Sequence, residues 1–378
     1  MLKKIGIFFI LFLVMGCSKG NNIDASKEFQ KRVEKSKSYK IIGNLELQND
    51  EEIFKYNVEV NYLDGNYYKV DMVNKANEHK QIILRNNDGL YVITPSLNKS
   101  FKFESTWPDN SSQSYVLSSL IKDIKNDNNK EISKNEDGYI IKTTVNYPNN
   151  EELKYQKIYL NKDFNLHKVE VYGNDIVKIK FQVEDLDLKA GLSTDLFDLK
   201  KYVQVEETDC KDEECTEKQT MGSIETAIYP LYMPSETYLS SSETVNTDDN
   251  SRIILTYSGG KNFVLVEEGA IKSQEHEIIP VYGEPVILND TIAALSTNSI
   301  YWTSNNIDYY MASEDLSLKE MISIASSMNN SKNVVSLKSI LFAILLIMCY
   351  YFSRKNCDYE KNFNNNIWWI WNERKWLW

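Results

Sequence analysis

Cysteine is the residue type best placed for covalent chemistry in this chain, and Cys17 stands first. Lys3 and Lys4 precede an apolar run, Ile5 to Met15, and Val14-Met15-Gly16-Cys17 closes it. A cationic start, a short apolar stretch and a small residue before the cut describe an export signal, because such a run is too short to cross a bilayer as a helix. A cysteine at that place can take a diacylglyceryl group on its thiol as a thioether, after which residues 1–16 are removed and Cys17 becomes the mature N-terminus. One acyl chain, at about 0.8 kcal/mol per buried methylene, holds a protein only marginally, so stable anchoring takes two palmitate-like chains. An ordinary secretory signal with an incidental cysteine and an uncleaved anchor are the other readings, and Met15 is the least typical residue of the motif.

Cys210 and Cys215 form an isolated pair among Glu206, Glu207, Asp209, Asp212, Glu213 and Glu214. Outside the cytoplasm such a pair is expected to close a small disulfide loop. Two free thiols are the alternative, with metal binding third, because no further ligands cluster nearby. Cys349 and Cys357 lie in a tail of different character.

Nucleophilic catalysis would need a base, and His79, His167 and His276 are the three imidazoles. His79 and His276 sit among charged, turn-like residues and His167 enters a strand, so all three are expected as surface side chains. Glu184-Asp185-Asp187 reads as a solvated strand end. Ser258-Gly259-Gly260-Lys261 lacks the spacing and the following helix of a phosphate loop and is expected to be a hairpin turn. With no zincin, nucleophile-elbow or dinucleotide motif, the chain is expected not to be an enzyme and to need no cofactor or metal.

The formal charge is -11, and loss of Lys3 and Lys4 with the leader takes it to -13. Such an acidic body argues against nucleic acid and against a polybasic grip on anionic lipid. The membrane is therefore met through the lipid on Cys17. At 378 residues the chain is long enough for two domains.

The elements that would position these residues follow from periodicity. Residues 17–24 are a polar tether, and a helix capped by Asp24 follows, with Phe29 and Val33 in its apolar stripe. From Tyr39 the period is two: Tyr56, Val58, Val60 and Tyr62 share a face, as do Tyr68, Val70 and Met72. Asp64-Gly65 and Asn87-Asp88-Gly89 mark hairpins. Ser114 to Ile124 has helical spacing and is expected to plug the sheet, after which strands resume at Tyr139–Tyr147, Leu153–Leu160, His167–Tyr172 and Ile176–Val183. Residues 201–221 read as an acidic linker. Strands are then expected at Ile253–Tyr257, Phe263–Glu267, Val286–Leu288, Ile292–Leu295, Ile300–Trp302 and Asp308–Met311, before a helix opened by the capping box Ser317 to Glu320. The tail 339–378 joins an apolar run, Ile340 to Phe352, to a tryptophan-crowded end; it reads as an out-of-frame or read-through extension, with a membrane segment as the alternative.

Asp88-Gly89-Leu90-Tyr91-Val92-Ile93-Thr94-Pro95 with Lys99-Ser100-Phe101, and Asn165 to Tyr172 leading to Asp195-Leu196-Phe197, carry a resemblance. Across about residues 25–200 the chain resembles the LolA/LolB and RseB-like lipoprotein-carrier superfamily, and most nearly the membrane-anchored sporulation and germination lipoproteins of spore-forming Firmicutes. Arg252 to Gly260 and Ile300 to Tyr310 resemble the small non-catalytic domain behind such N-terminal domains. The resemblance implies an α+β, mainly antiparallel β fold: an unclosed half-barrel with plugging helices over 25–200 and a smaller α+β C-terminal domain over 222–338. It also implies an envelope protein partner for a scaffold or regulator. Alternatives are a binder or sorter of lipid or lipoprotein, with acyl chains in the concavity, and an envelope-stress sensor acting on an anti-sigma factor. Cys17 weighs against a shuttle, because a carrier cannot stay tethered to its starting membrane.

Overall fold

The computed structural model describes residues 24–49, 52–203, 219–220, 222–246, 250–273 and 275–328. The expectations for Cys17, for Cys210 and Cys215, and for the tail 339–378 fall outside those residues. Among the described residues no helix is long and apolar enough to cross a membrane.

Helix α1 (Ala25–Lys35) starts where expected: Asp24 Oδ1 accepts from the amides of Ser26, at 3.1 Å, and Lys27, at 3.3 Å, which satisfies first-turn donors. There follow β1 (Ser38–Asn49), β2 (Glu52–Leu63), β3 (Tyr67–Asn74), β4 (Lys80–Asn86), β5 (Gly89–Thr94) and β6 (Lys99–Phe103). Helix α2 (Leu117–Asn126) separates them from β7 (Glu131–Lys134), β8 (Gly138–Thr144), β9 (Leu153–Asn161), β10 (Leu166–Gly173) and β11 (Ile176–Asp187). The β2–β3 turn is made by Gly65 and Asn66, at φ 96° and 70°, a region open to glycine and tolerated by asparagine.

The remainder comprises β12 (Gln219–Thr220), β13 (Thr237–Asn246), β14 (Ser251–Gly259), β15 (Phe263–Gly269), β16 (Ile271–Lys272), β17 (Glu277–Val281), β18 (Gly283–Ile287), β19 (Ile292–Ser296), β20 (Ser299–Ser304), β21 (Ile307–Ala312) and α3 (Leu318–Ser326). The capping box is present as expected, Ser317 and Glu320 each accepting from the other's amide. Gly259 and Gly260 lie in the β14–β15 hairpin.

Two large sheets result. The first runs β17-β6-β5-β4-β3-β2-β1-β11-β10-β9-β8-β7, twelve strands, antiparallel except where β17 joins β6 in parallel; the second runs β13-β14-β15-β21-β20-β19-β18. Neither sheet closes on itself, and the first is the open half-barrel with plugging helices that the resemblance implies. Residues 277–281, which the sequence assigns to the C-terminal domain over 222–338 and to no strand, thus form an edge of the N-terminal sheet.

The main core lies between the first sheet and the two N-terminal helices. Tyr39, Ile41, Leu45, Val58, Val60, Val70, Val169, Val171 and Phe181 point inward and meet Phe29 and Val33 of α1 and Leu117, Leu120, Ile121 and Ile124 of α2. Each fully buried large aliphatic or aromatic side chain contributes roughly 1.5–3 kcal/mol. Helix α2 begins at Leu117 instead of Ser114, because residues 114–116 run in a non-helical approach that buries Tyr115 and Val116. At β4 and β5 burial is continuous instead of alternating: Ile82, Leu84, Tyr91 and Ile93 pack under Phe197 on the opposite face, so that segment is a two-sided layer. A third core holds the second sheet to α3 through Leu255, Leu265, Trp302, Tyr309, Met321 and Ile324.

Because α2 fills the concavity, Leu120→Ala is expected to lower stability by about 2–5 kcal/mol in urea denaturation, whereas truncating Ile53, 54% exposed on β2, should stay within about 0.5 kcal/mol.

Candidate functional site: the seam between the sheets

Where the first sheet meets the second, polar side chains from β2, β4 and β6 do work that strands do elsewhere. Gln81 on β4 is buried, and its amide takes both backbone groups of Ile292 at the start of β19: Oε1 accepts from the Ile292 amide at 2.6 Å and Nε2 donates to the Ile292 carbonyl at 3.3 Å. Oε1 also accepts from Thr291 Oγ1 at 3.1 Å. One side chain thereby imitates a neighbouring strand and leaves neither backbone group of Ile292 buried without a partner.

Other pairs extend the seam. Tyr56 donates its hydroxyl to the Asn289 carbonyl at 2.7 Å, and Asn289 Nδ2 donates to the Ser326 carbonyl at the end of α3, at 2.6 Å. Lys99 Nζ meets Asp308 Oδ2 at 2.8 Å and donates to the Tyr301 hydroxyl at 3.2 Å, while the Tyr301 ring packs edge-on to Phe101 with centroids 4.9 Å apart. Ser105 donates to Glu284. Buried ion pairs of this kind fix geometry more than they add stability, because both charges lose water.

The histidines differ from expectation at two of three positions. His167 is exposed on β10, as the sequence suggests. His79 is half-buried: the desolvation that holds its imidazole below the ordinary range outweighs the opposing pull of Asp290, whose own carboxyl is pushed up by burial and bonded by Ser304 Oγ at 2.5 Å. His276 is half-buried too, its Nε2 lying 2.6 Å from Ser100 Oγ. The sequence suggests a surface position for both because the residues that cover them lie far away in the chain. The Ser100–His276 contact has the length of a nucleophile–base pair, yet Ser100 is fully buried between Ile93 and Ile278, so no substrate reaches it and the bond serves to fasten β17 to β6. Among the described residues no three His, Cys, Asp or Glu side chains converge on a point that could hold a metal ion.

A cavity of about 180 Å³ opens at the seam. Leu47 and Ile179 line it from the first sheet, Trp107 and Tyr147 from its loops, and Ile287 and Ile322 from the second sheet and α3. Sequence periodicity marks each as apolar, but no local signal brings residues 47 and 322 together.

A separate buried acid lies on β15. Glu267 is fully buried; its Oε2 accepts from the Ile228 amide at 2.9 Å, Oε1 has no partner among the described residues, and burial pushes its pKa up to about 7. The nearby Tyr257 hydroxyl is likewise buried without a partner.

Two outcomes are expected. Gln81→Ala strands the Ile292 amide and carbonyl, costing roughly 2–3 kcal/mol and speeding hydrogen exchange at Ile292. A carboxyl whose pKa is raised on folding contributes stability below its unfolded pKa and loses that contribution as pH rises to the folded value of about 7. Glu267→Gln, which keeps the acceptor for Ile228, should therefore be roughly 1–3 kcal/mol more stable than the parent at pH 8 and near-equal at pH 4, as read from urea melts.

No family model matches the chain. Among solved structures it is similar to a chain of the MucA/MucB complex of Pseudomonas aeruginosa (12% identity, 80% of this chain and 98% of that one, TM-score 0.30). It is also similar to a chain of the CwlD amidase of Clostridioides difficile in complex with the GerS lipoprotein (17%, 42% and 91%, TM-score 0.27). A third is the LolA superfamily protein NE2245 of Nitrosomonas europaea (14%, 47% and 99%, TM-score 0.28). At these scores the likenesses add nothing to what the strands and helices themselves show. The sequence relationship is of another order: the chain is 33% identical over 342 residues to the sporulation protein YdcC of Bacillus subtilis (strain 168), a match that takes in 88% of this chain and 100% of that protein. The chain belongs to the family of that Bacillus sporulation protein.

Proposed function

We propose that this protein is a lipid-anchored, non-enzymatic protein of the cell envelope that works in sporulation by holding or regulating another envelope protein. The sporulation role is carried over from its relative in Bacillus subtilis, which matches along its whole length. The anchor rests on Cys17 and the signal before it, and it would set the protein on the outer face of the cytoplasmic membrane or in the spore envelope.

One observation favours protein contact over lipid carriage. The concave face that would receive acyl chains is filled by the protein's own Phe29, Leu117, Leu120 and Ile124, and the space left at the seam is about 180 Å³. Sites for drug-sized ligands take roughly 300–1,000 Å³. A scaffold needs no emptied concavity; it needs a rigid body and a free surface, and the clasp of Gln81 on Ile292 supplies the rigidity. The sealed Ser100–His276 pair supports a non-catalytic reading, since the contact most like a reacting pair is out of reach of any substrate.

The reading has a direct test in cells. Cys17→Ser should abolish incorporation of labelled palmitate into the protein and leave residues 1–16 in place, and the wild-type protein, extracted in mild detergent from sporulating cells, should bring down one envelope protein in near-stoichiometric amount. Palmitate incorporation undiminished in Cys17→Ser would remove the anchor, and repeated recovery of the protein alone would remove the scaffold.

A further inference from the structure

Among the described residues the two large sheets have four edge strands, and three of them are guarded by short length, lysine or proline. β7 is four residues long and ends in Lys134, β17 is five residues with Pro280, and β18 is five residues with Pro285. Short length, lysine and proline are the usual means by which proteins keep a row of unpaired amides and carbonyls from recruiting another chain. β13 has none of these three; its one irregularity is a bulge between Leu239 and Ser241, beyond which Ser241–Asn246 runs in regular register. It is ten residues long, Thr237–Asn246, pairs among the described residues with β14 on one side alone, and contains neither proline nor lysine.

Its surroundings are equally distinct. Tyr238 is 62% exposed, Val245 44% and Leu239 37%, and the preceding loop adds Leu231 at 67%, Tyr229 at 51% and Tyr232 at 42%. Tyr238 and Val245 stand opposite Ser258 and Arg252, on the face of the second sheet turned away from its core, while Leu239 stands opposite buried Tyr257 on the other face. Exposed tyrosine and leucine beside an open edge form the composition of an interaction surface. The charge pattern defines the partner: from Gln219 to Ser251 there is no Lys, Arg or His, against five acidic residues, in a chain with 43 Lys and Arg in 378.

We propose that β13 is the docking edge of this protein, and that its occupant is an extended, lysine- or arginine-bearing segment of a partner protein, added to the second sheet as a further strand beside Tyr238 and Glu243. Main-chain hydrogen bonds to the open edge would supply affinity, and alternate side chains would meet the aromatic residues and the acidic stretch. A second copy of this chain is disfavoured as occupant, because β13 itself offers Glu243 and no cation to meet it. The inference rests on the reading that the protein acts through protein contact, and it names the surface.

The test uses the full mature chain carrying Cys17→Ser and two capped synthetic peptides as long as β13, one alternating lysine and valine, the other glutamate and valine. The lysine peptide should bind by fluorescence anisotropy and slow hydrogen exchange across residues 237–246; the glutamate peptide should bind at least tenfold more weakly. Glu243→Lys changes an exposed side chain and should leave the melting curve unchanged while weakening the lysine peptide at least tenfold. No binding of the lysine peptide, equal binding of both, or exchange unchanged over β13 overturns the proposal, as does a dimer by sedimentation that Glu243→Lys abolishes. If Glu243→Lys leaves recovery of the envelope partner from membranes undiminished, β13 is not the docking edge and the contact reading stands; if the wild-type chain recovers no partner at all, it is that reading that fails.

Discussion

An antiparallel sheet that curls without closing leaves two debts: an apolar concave face and a row of unpaired backbone groups at its ends. Everything else in this protein answers one or the other. Helices α1 and α2 cover the concave face with Phe29, Val33, Leu117, Leu120 and Ile124. The edge at β6 is met by β17, a strand delivered from far along the chain, and the neighbouring surface by the second sheet through Gln81, Lys99 and Tyr56. The second sheet is therefore built into the first by hydrogen bonds across a buried polar seam, and among the described residues its own far edge, β13, has no further strand beside it.

Much of this was legible in local sequence. The period-two alternation of Tyr56 to Tyr62 and Tyr68 to Met72, the Asp64-Gly65 turn, the Asp24 cap and the Ser317–Glu320 box are each decided by neighbours within a few residues, and the structure holds all of them. What was not legible depends on distant partners. β17 reads Glu-Ile-Ile-Pro-Val, in which proline argues against a strand, and only its parallel seat beside Lys99–Phe103 makes it one. β13 has too many serines and too few alternating apolar residues to announce itself, for the physical reason that it is buried on neither face.

The candidate site divides in the same way. Sequence marks His79 and His276 as surface imidazoles because their neighbours in the chain are charged; Asp290 and Ser100, which decide otherwise, lie 211 and 176 residues away in sequence. Gln81 carries no signal at all, since a glutamine in an otherwise apolar strand looks like a defect until Ile292 is placed beside it. Cys17, Cys210 and Cys215 stay with the sequence, where their chemistry is argued from type and spacing.

The central proposal is that the half-barrel is closed to cargo and that the protein works by its surface. Native mass spectrometry of the chain from residue 17, carrying Cys17→Ser behind a cleavable secretory leader in place of residues 1–16 and purified without detergent from sporulating cells, tests it most directly. The account predicts the mass of the bare polypeptide; a stoichiometric adduct of acyl lipid, retained on gentle activation and lost on unfolding, would contradict it.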